Sequence, residues 1–426
     1  MFRLAALAVA ALSASVASAT ISCGSTGDSN CPSDAPCCSQ YGECGVGAYC
    51  LGGCDPRYSF SLDSCTPEPI CESKSFDSWD NLDSLAKNYD YLGNASDYDW
   101  VYSGTLLTDN GDLVLTMPNN SGGALVSYNH YIWYGKVSGT FKTSRDAGVI
   151  TAFILLSDVK DEIDYEFVGA NLTTAQTNYY FQGILDYDNA VNGTISSDSF
   201  ENFHTYELDW TPDSITWYLD GESIRVLNRN ETYNSTTNQY EYPQTPARLE
   251  LSLWPGGASN QGEGTITWAG GPINWDSQDM QDPGYYYAIF RNISITCYDP
   301  PSGANIQGNN SYIYTSYTVT NNTVEIVNNA TILNNFDDTG LNMTAGSSTA
   351  TATSATNTAV SVPSSNGGGS GAESNQGSST SSGSHVSSTG FSQGGSTQTG
   401  AAAVNEHVFQ SSIFAVLVAV IALVVL

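Results

Sequence analysis

The heptapeptide Asp161-Glu162-Ile163-Asp164-Tyr165-Glu166-Phe167 alternates acidic and apolar side chains from Glu162 onward. A period of two belongs to an extended strand, so Ile163, Tyr165 and Phe167 point to one face and Glu162, Asp164 and Glu166 to the other. Read as a helix, the same letters place two Glu at i and i+4, where like charges oppose the helix. Ile, Tyr and Phe at alternate positions favour the strand as well. Three acids on one strand face repel each other, and none is a natural partner for the next.

That repulsion has a chemical use. Along a strand the Cα atoms of Glu162 and Glu166 lie about 13 Å apart, at about 3.3 Å per residue. Two Glu side chains leaning together close this to about 5–6 Å between carboxyls, the separation of a retaining glycosidase. One Glu would attack the anomeric carbon and the other protonate the leaving oxygen. Asp164 between them would hydrogen-bond the nucleophile and keep one carboxyl ionised and the other neutral. A solvated acidic strand face is the bland alternative, and the surrounding sequence decides between the two.

The surroundings are those of a β-rich exported chain. Of 426 residues, 12 are Lys or Arg against 43 Asp or Glu, a formal charge of −31, which argues against nucleic acid, whose phosphates need basic partners. Residues 1–19 read as a secretory signal, with Arg3, an apolar stretch and the small-x-small site Ala17-Ser18-Ala19. Export places the ten Cys in an oxidising compartment, where they should pair. It also gives meaning to the Asn-x-Ser/Thr sites that run from Asn94 to Asn342.

Strand-like runs separated by Gly, Asn or Asp turns fill residues 71–300. They include Asp112–Met117, Ala124–Tyr128, Gly148–Leu156, Asp161–Val168, Asn178–Ile184, Tyr206–Trp210, Ser214–Leu219, Arg248–Leu253, Thr265–Trp268 and Ala288–Cys297. Asp220-Gly221 is a hairpin turn signal. With no long amphipathic helix, the expected fold class is all-β: a two-sheet sandwich or jelly roll in one unit. In Arg248–Trp254 the leucines share the core face, and Arg248, Glu250, Ser252 and Trp254 share the other, which would line a cleft. Trp254, followed by Pro255-Gly256-Gly257, could stack on a pyranose or simply cover the core edge. Thr265 is a weaker candidate for a hydroxyl contact. Trp210 fits cleft wall or core equally, and His204 is expected to be structural. Outside the cysteine-dense N-terminal stretch no His/Cys cluster is found, nor a nucleophile elbow or phosphate loop, so no metal and no cofactor are expected.

Residues 20–70 form a module too short for a core and dense in cysteine, which must be stapled. Cys31-Pro32, Cys37-Cys38-Ser39-Gln40-Tyr41-Gly42-Glu43-Cys44-Gly45, Tyr49-Cys50 and Cys54 resemble hevein-type chitin-binding domains. The resemblance implies the pairs Cys23–Cys38, Cys31–Cys44, Cys37–Cys50 and Cys54–Cys65, among 105 connectivities that spacing alone leaves open. It also implies that Ser39, Tyr41, residue 43 and Tyr49 bind N-acetylglucosamine. Glu43 departs from the family, since the better binders carry an aromatic there; a stapled cap with little sugar binding is the alternative. The two remaining cysteines, near the first and last strands of the sandwich, are expected to form Cys71–Cys297, with Cys65–Cys71 as the rival.

Glu162-Ile163-Asp164-Tyr165-Glu166 matches the signature of glycoside hydrolase family 16 without an inserted bulge residue. Phe203–Trp210 and Trp217–Gly221 match a second stretch of that family. The runs Ser252–Gly257 and Gly264–Gly271 further resemble the fungal Crh-type transglycosylases, which link chitin to β-glucan. The resemblance implies a concanavalin A-like β-jelly roll with Glu162 as nucleophile, Asp164 as its support and Glu166 as acid/base. Arg248, Trp254, Thr265 and Trp210 are the candidate substrate contacts. Chitin and β-glucan are the expected partners, and a monomer is expected. A plain glucan or chitin hydrolase and a non-catalytic chitin-binding surface protein are the alternatives.

Residues 301–402 read as a Ser/Thr/Asn-rich stalk that buries no core. The apolar run Ile413–Leu426 is shorter than the roughly 20 residues of a spanning helix. With the small residues Gly400-Ala401-Ala402 and a spacer to Ser412, it fits a GPI-attachment signal within 403–426, Gly400 being the attachment site. A GPI-anchored protein of the plasma membrane or cell wall is therefore expected, a short tail anchor being the alternative.

Overall fold

The structure, a computed structural model, describes residues 21–24 and 30–345. The signal 1–19, the stalk from 346 onward, Gly400 and the apolar end lie outside the described residues.

Two antiparallel-dominated sheets of eight strands face each other. The cleft sheet runs in the order Val191–Thr194, Thr174–Tyr180, Glu162–Val168, Val149–Ser157, Ala247–Pro255, Ala124–Tyr128, Trp100–Ser103 and Leu85–Lys87. The outer sheet has Gly135–Lys142 and Tyr285–Cys297 at its centre, flanked by His204–Trp210 on one side and Asp112–Pro118 on the other. This is the all-β jelly roll that the alternation predicts. Asp220 and Gly221 have φ of 52° and 83°, both left-handed, as a two-residue turn between twisted strands requires.

The two sheets differ in how they meet solvent. His204–Trp210 and Gly135–Lys142 alternate buried and half-buried residues, one face to the core and one to water. Val149–Ser157, Glu162–Val168 and Ala247–Pro255 are buried at every position, so both their faces are covered. Between the sheets Phe141 meets Tyr206, Phe290 and Phe167, with ring centroids 4.5, 4.7 and 5.4 Å away. Trp210 lies in this core, fully buried, its indole N–H donating 3.1 Å to the Pro243 carbonyl. The core alternative holds for Trp210, and its proposed substrate contact is corrected. His204 bridges Asp220 and Ser197, a structural role.

All five disulfides join the expected partners, Cys71–Cys297 closing the jelly roll across 226 residues. Two expectations are corrected. Thr265–Trp268 is not a strand: Glu263–Trp268 forms a short helix that ends at Gly270, φ 86°. Alternating Thr-Ile-Thr-Trp imitates a strand locally, but the segment satisfies its own backbone, Ile266 N–H to Gly262 and Ala269 N–H to Thr265. Nor does the stalk begin at 301. Ser311–Tyr314, Val324–Val327 and Asn305–Ile306 build a four-stranded sheet with Glu68–Pro69. Tyr312, Tyr314, Val324 and Ile326, spaced by two, drop into the main core within an Asn- and Thr-rich stretch.

Candidate active site

Asp161 pins the start of the acidic strand. Its carboxylate accepts from the Gln182, Gln244 and Thr245 amides at 2.9, 2.9 and 3.1 Å and from the Thr245 hydroxyl at 2.7 Å. From there Glu162, Asp164 and Glu166 pair in unbroken register with Leu156, Ile154 and Ala152 on one side. On the other they pair with Tyr180, Asn178 and Gln176. From the opposite sheet, the Trp217 indole donates to the Asp164 carbonyl at 3.0 Å, and the Tyr165 hydroxyl to the Tyr218 carbonyl at 2.8 Å.

The three carboxyl groups are each more than nine-tenths buried. Neither oxygen of Asp164 finds a hydrogen-bond partner in the protein. Burial pushes all three acids up, and repulsion adds to it: Glu162 from Asp164, Asp164 from Glu166, and Glu166 from Glu162. Glu166 is held at about 8. Lys160 opposes the shift at Glu162 and Arg225 opposes it at Asp164, whereas no cation relieves Glu166. Burial and mutual repulsion therefore make the row share protons rather than carry three charges, and the cation that favours charge on Glu162 is Lys160.

The cleft-side face of the sheet continues across the strands from this row. One wall is the short helix: Trp268 stacks on Trp254, centroids 6.0 Å apart, and reaches over to donate 2.7 Å to Gln176 Oε1. Trp254 is on the cleft-side face as expected but is only 1 % exposed, sealed among Leu125, Ile150, Val168 and Trp268. It therefore packs beneath Trp268, itself 6 % exposed. Thr265 lies on the same helix, buried, its hydroxyl without a partner in the protein.

The other wall is the hevein-type module. Arg248 is buried and donates to Gln40 Oε1 of that module at 3.1 Å and to Glu250 Oε1 at 3.3 Å. Of the module's expected sugar contacts, Ser39 and Tyr49 are buried and Tyr41 is half-buried facing the cleft. The Ser39 hydroxyl accepts from the Glu43 amide. Segment 334–340 lies across the module, Gly47 N–H donating to the Asp338 carbonyl. The module thus presents no open face of Ser39, Tyr41 and Tyr49 together.

Gln176, Asn178, Tyr180, Trp268 and Lys160 are site residues that the sequence reading did not single out. Asn178 and Tyr180 were legible, since alternation in the expected run Asn178–Ile184 puts them on one face; Gln176 was not, because the strand spans Thr174–Tyr180 and begins before that run. Lys160 and Trp268 reach the site from a turn and a helix, which carry no such signal. Among the described residues, the grouping with metal-ligand spacing is Cys23, Cys31 and Cys38, whose sulfurs are all committed to disulfides.

A family model, glycosyl hydrolases family 16, matches residues 94–270, which hold the acidic strand, the Arg248 strand and the Trp268 helix. Crh-like protein 2 of Aspergillus fumigatus is 54% identical over 97% of this chain and 98% of its own. Congo red hypersensitive protein 2 of Saccharomyces cerevisiae is 55% identical over 67% of this chain and 62% of its own. Among solved structures, the Crh5 transglycosylase in complex with NAG is 26% identical with a TM-score of 0.52. That match covers 64% of this chain and 99% of the Crh5 chain.

Proposed function

The chain belongs to the Crh-like family of family 16 glycosyl hydrolases, and on that premise we propose that it is a retaining transglycosylase that cleaves β-1,4 links of chitin and transfers the fragment to β-glucan. The observation that carries this reading is the row of three buried carboxyl groups on one strand face, raised together by burial and mutual repulsion so that they do not all ionise at neutral pH. The NAG complex of the related Crh5 transglycosylase supports an N-acetylglucosamine polymer as donor.

In the first half-reaction the Glu162 carboxylate attacks C1 of the donor sugar. The C1–O bond breaks, Glu166 gives its proton to the leaving oxygen, and a glycosyl ester forms on Glu162. Lys160 favours charge on Glu162. Asp164, pushed up by burial and then by Glu166, stands between the two Glu on the same strand face, where its carboxyl is placed to orient the Glu162 carboxylate once a donor is bound. In the second half an acceptor hydroxyl passes its proton to Glu166 and attacks C1, freeing Glu162. Sugar wins over water, about 55 M, only if the walls bind and align it, because oriented groups reach effective molarities far above that.

The same reading makes the protein a secreted monomer with its signal 1–19 removed. It would be held at the plasma membrane or wall by a GPI anchor at Gly400, with residues 346–402 as the stalk.

Trapping tests the roles. With a chito-oligosaccharyl fluoride, whose leaving group needs no acid, Glu166→Gln should accumulate a glycosyl adduct on the peptide that contains Glu162. Glu162→Gln should remain unlabelled. An adduct elsewhere, or full labelling of Glu162→Gln, contradicts the assignment.

A further inference from the structure

The hevein-type module is docked rather than tethered. Gly53 N–H donates to Asp158 Oδ1 at 2.8 Å, Lys160 Nζ to the Gln40 carbonyl at 3.0 Å, Arg57 to the Gln182 carbonyl at 3.1 Å, and Arg248 to Gln40 Oε1. At Gly52 a Cβ would stand 2.4 Å from an Arg248 nitrogen, so a side chain there would displace the guanidinium that bonds Gln40. Between them is a cavity, walled by Tyr41, Ala48 and Leu51 of the module and floored by Val101, Leu125 and Ser127 of the cleft sheet.

The floor continues the catalytic rows. Asp164 is paired with Ile154, Ile154 with Glu250, Glu250 with Ser127, and Ser127 with Val101. The row through Glu166 runs by Ala152 and Ser252 to Leu125 in the same way. Three strand spacings of about 4.8 Å separate Ser127 from the acidic strand, roughly 14 Å. A β-linked sugar chain crossing the strands advances about one ring per spacing, so its third ring or so from the cleaved bond enters this cavity.

The polar groups at and beneath this floor are unfinished, Ser127 and Arg248 lining the cavity and Glu250 lying behind them as their shared acceptor. Glu250, 1 % exposed, accepts from Ser127 and Arg248 through Oε1 and leaves Oε2 unpartnered. Arg248, 5 % exposed and lining the cavity, leaves its Nε–H unpartnered. A buried free acceptor beside a buried free donor costs stability unless a ligand completes both. An acetamido group offers the matching N–H and C=O, with a methyl for Leu51, Val101 or Leu125.

We propose that the module's Tyr41 is part of the cleft and, with Arg248 and Glu250, forms a distal subsite for an N-acetylglucosamine ring of the same chain that reaches the carboxyl row. The module is then a ruler for the donor, not a separate anchor on the wall. Tyr41 stacks on the ring's C–H face, and Arg248 and Glu250 take its acetamido group. The family-model match begins at residue 94, so this wall is an addition from outside the matched domain. The inference rests on chitin as donor.

The test is kcat/KM of the full chain on chito-oligosaccharide donors from dimer to hexamer, at fixed glucan acceptor. Wild type should gain sharply once the donor spans the cavity. Tyr41→Ala should lose about five- to tenfold on the longest donors, through KM, and match wild type on the shortest. Tyr41→Phe, which keeps the ring, should retain the gain. A Tyr41→Ala loss equal at every length, no loss at any, or loss of the gain in Tyr41→Phe overturns the subsite. An enzyme that turns over no chito-oligosaccharide of any length contradicts the donor assignment instead.

Discussion

Glu162, Asp164 and Glu166 show what three carboxyl groups on one buried strand face cost and what they allow. Folding raises Glu166 from 4.5 to about 8, so the folded state binds that proton more tightly than the unfolded chain. Its contribution to stability is full below about pH 4.5 and is lost as pH rises through about 8. Asp158 and Asp161, each raised to about 6 chiefly by burial, act in the same direction between about 4 and 6. Thermal melts should therefore show Tm falling from pH 4.5 to 8. Glu166→Gln should match wild type at pH 4.5 and exceed it by about 4–5 kcal/mol at pH 8, the shift from 4.5 to about 8 taken at about 1.4 kcal/mol per pKa unit. A variant no more stable than wild type at pH 8 contradicts the buried, proton-holding Glu166. The same group should give kcat/KM an alkaline limb near 8.

At the scale of elements, the acidic strand and the Trp268 helix hold the cleft between them. Trp254 works beneath Trp268, so Trp254→Ala should leave a void under the wall. An expected loss of about 3–5 kcal/mol in urea unfolding would accompany lower turnover. Unchanged stability with lost turnover would instead make Trp254 a direct sugar contact, as its strand position first implied. The strand was legible because period two with carboxyls on one face and aromatics on the other admits one conformation. The helix was not: Thr265-Ile266-Thr267-Trp268 has the same alternation, and only the lack of a neighbouring strand excludes a sheet. The small sheet after 301 was hidden by composition, since four apolar side chains suffice to dock it. Docking of the hevein-type module had no sequence signal either, because it rests on one Gln40 amide and on the backbone and shape of Gly52 and Gly53, none of which follows a periodic pattern.

For the molecule as a whole, closure comes from the ends of the described fold. Cys71 and Cys297 tie the entry of the jelly roll to its long last strand. In the chain-entropy model a loop of this length contributes about 5 kcal/mol. The double variant Cys71→Ser/Cys297→Ser should lower the denaturation free energy by about 4–5 kcal/mol while the four module disulfides stay intact by peptide mapping. An unchanged midpoint would show that packing of the last strand alone secures closure. The module, the jelly roll and segment 301–345 otherwise share one set of contacts, and Tyr41, Ala48 and Leu51 of the module wall a cavity over the cleft sheet. That enclosure is what a transferase needs and a hydrolase does not, because it restricts water while aligning a sugar hydroxyl. The most direct measurement is product partition: labelled chito-oligosaccharide with glucan oligosaccharide at millimolar concentration, transfer and hydrolysis products separated by mass. Transfer products should outnumber hydrolysis products, while predominantly hydrolytic products at saturating acceptor would make the protein a chitin hydrolase with the same carboxylates.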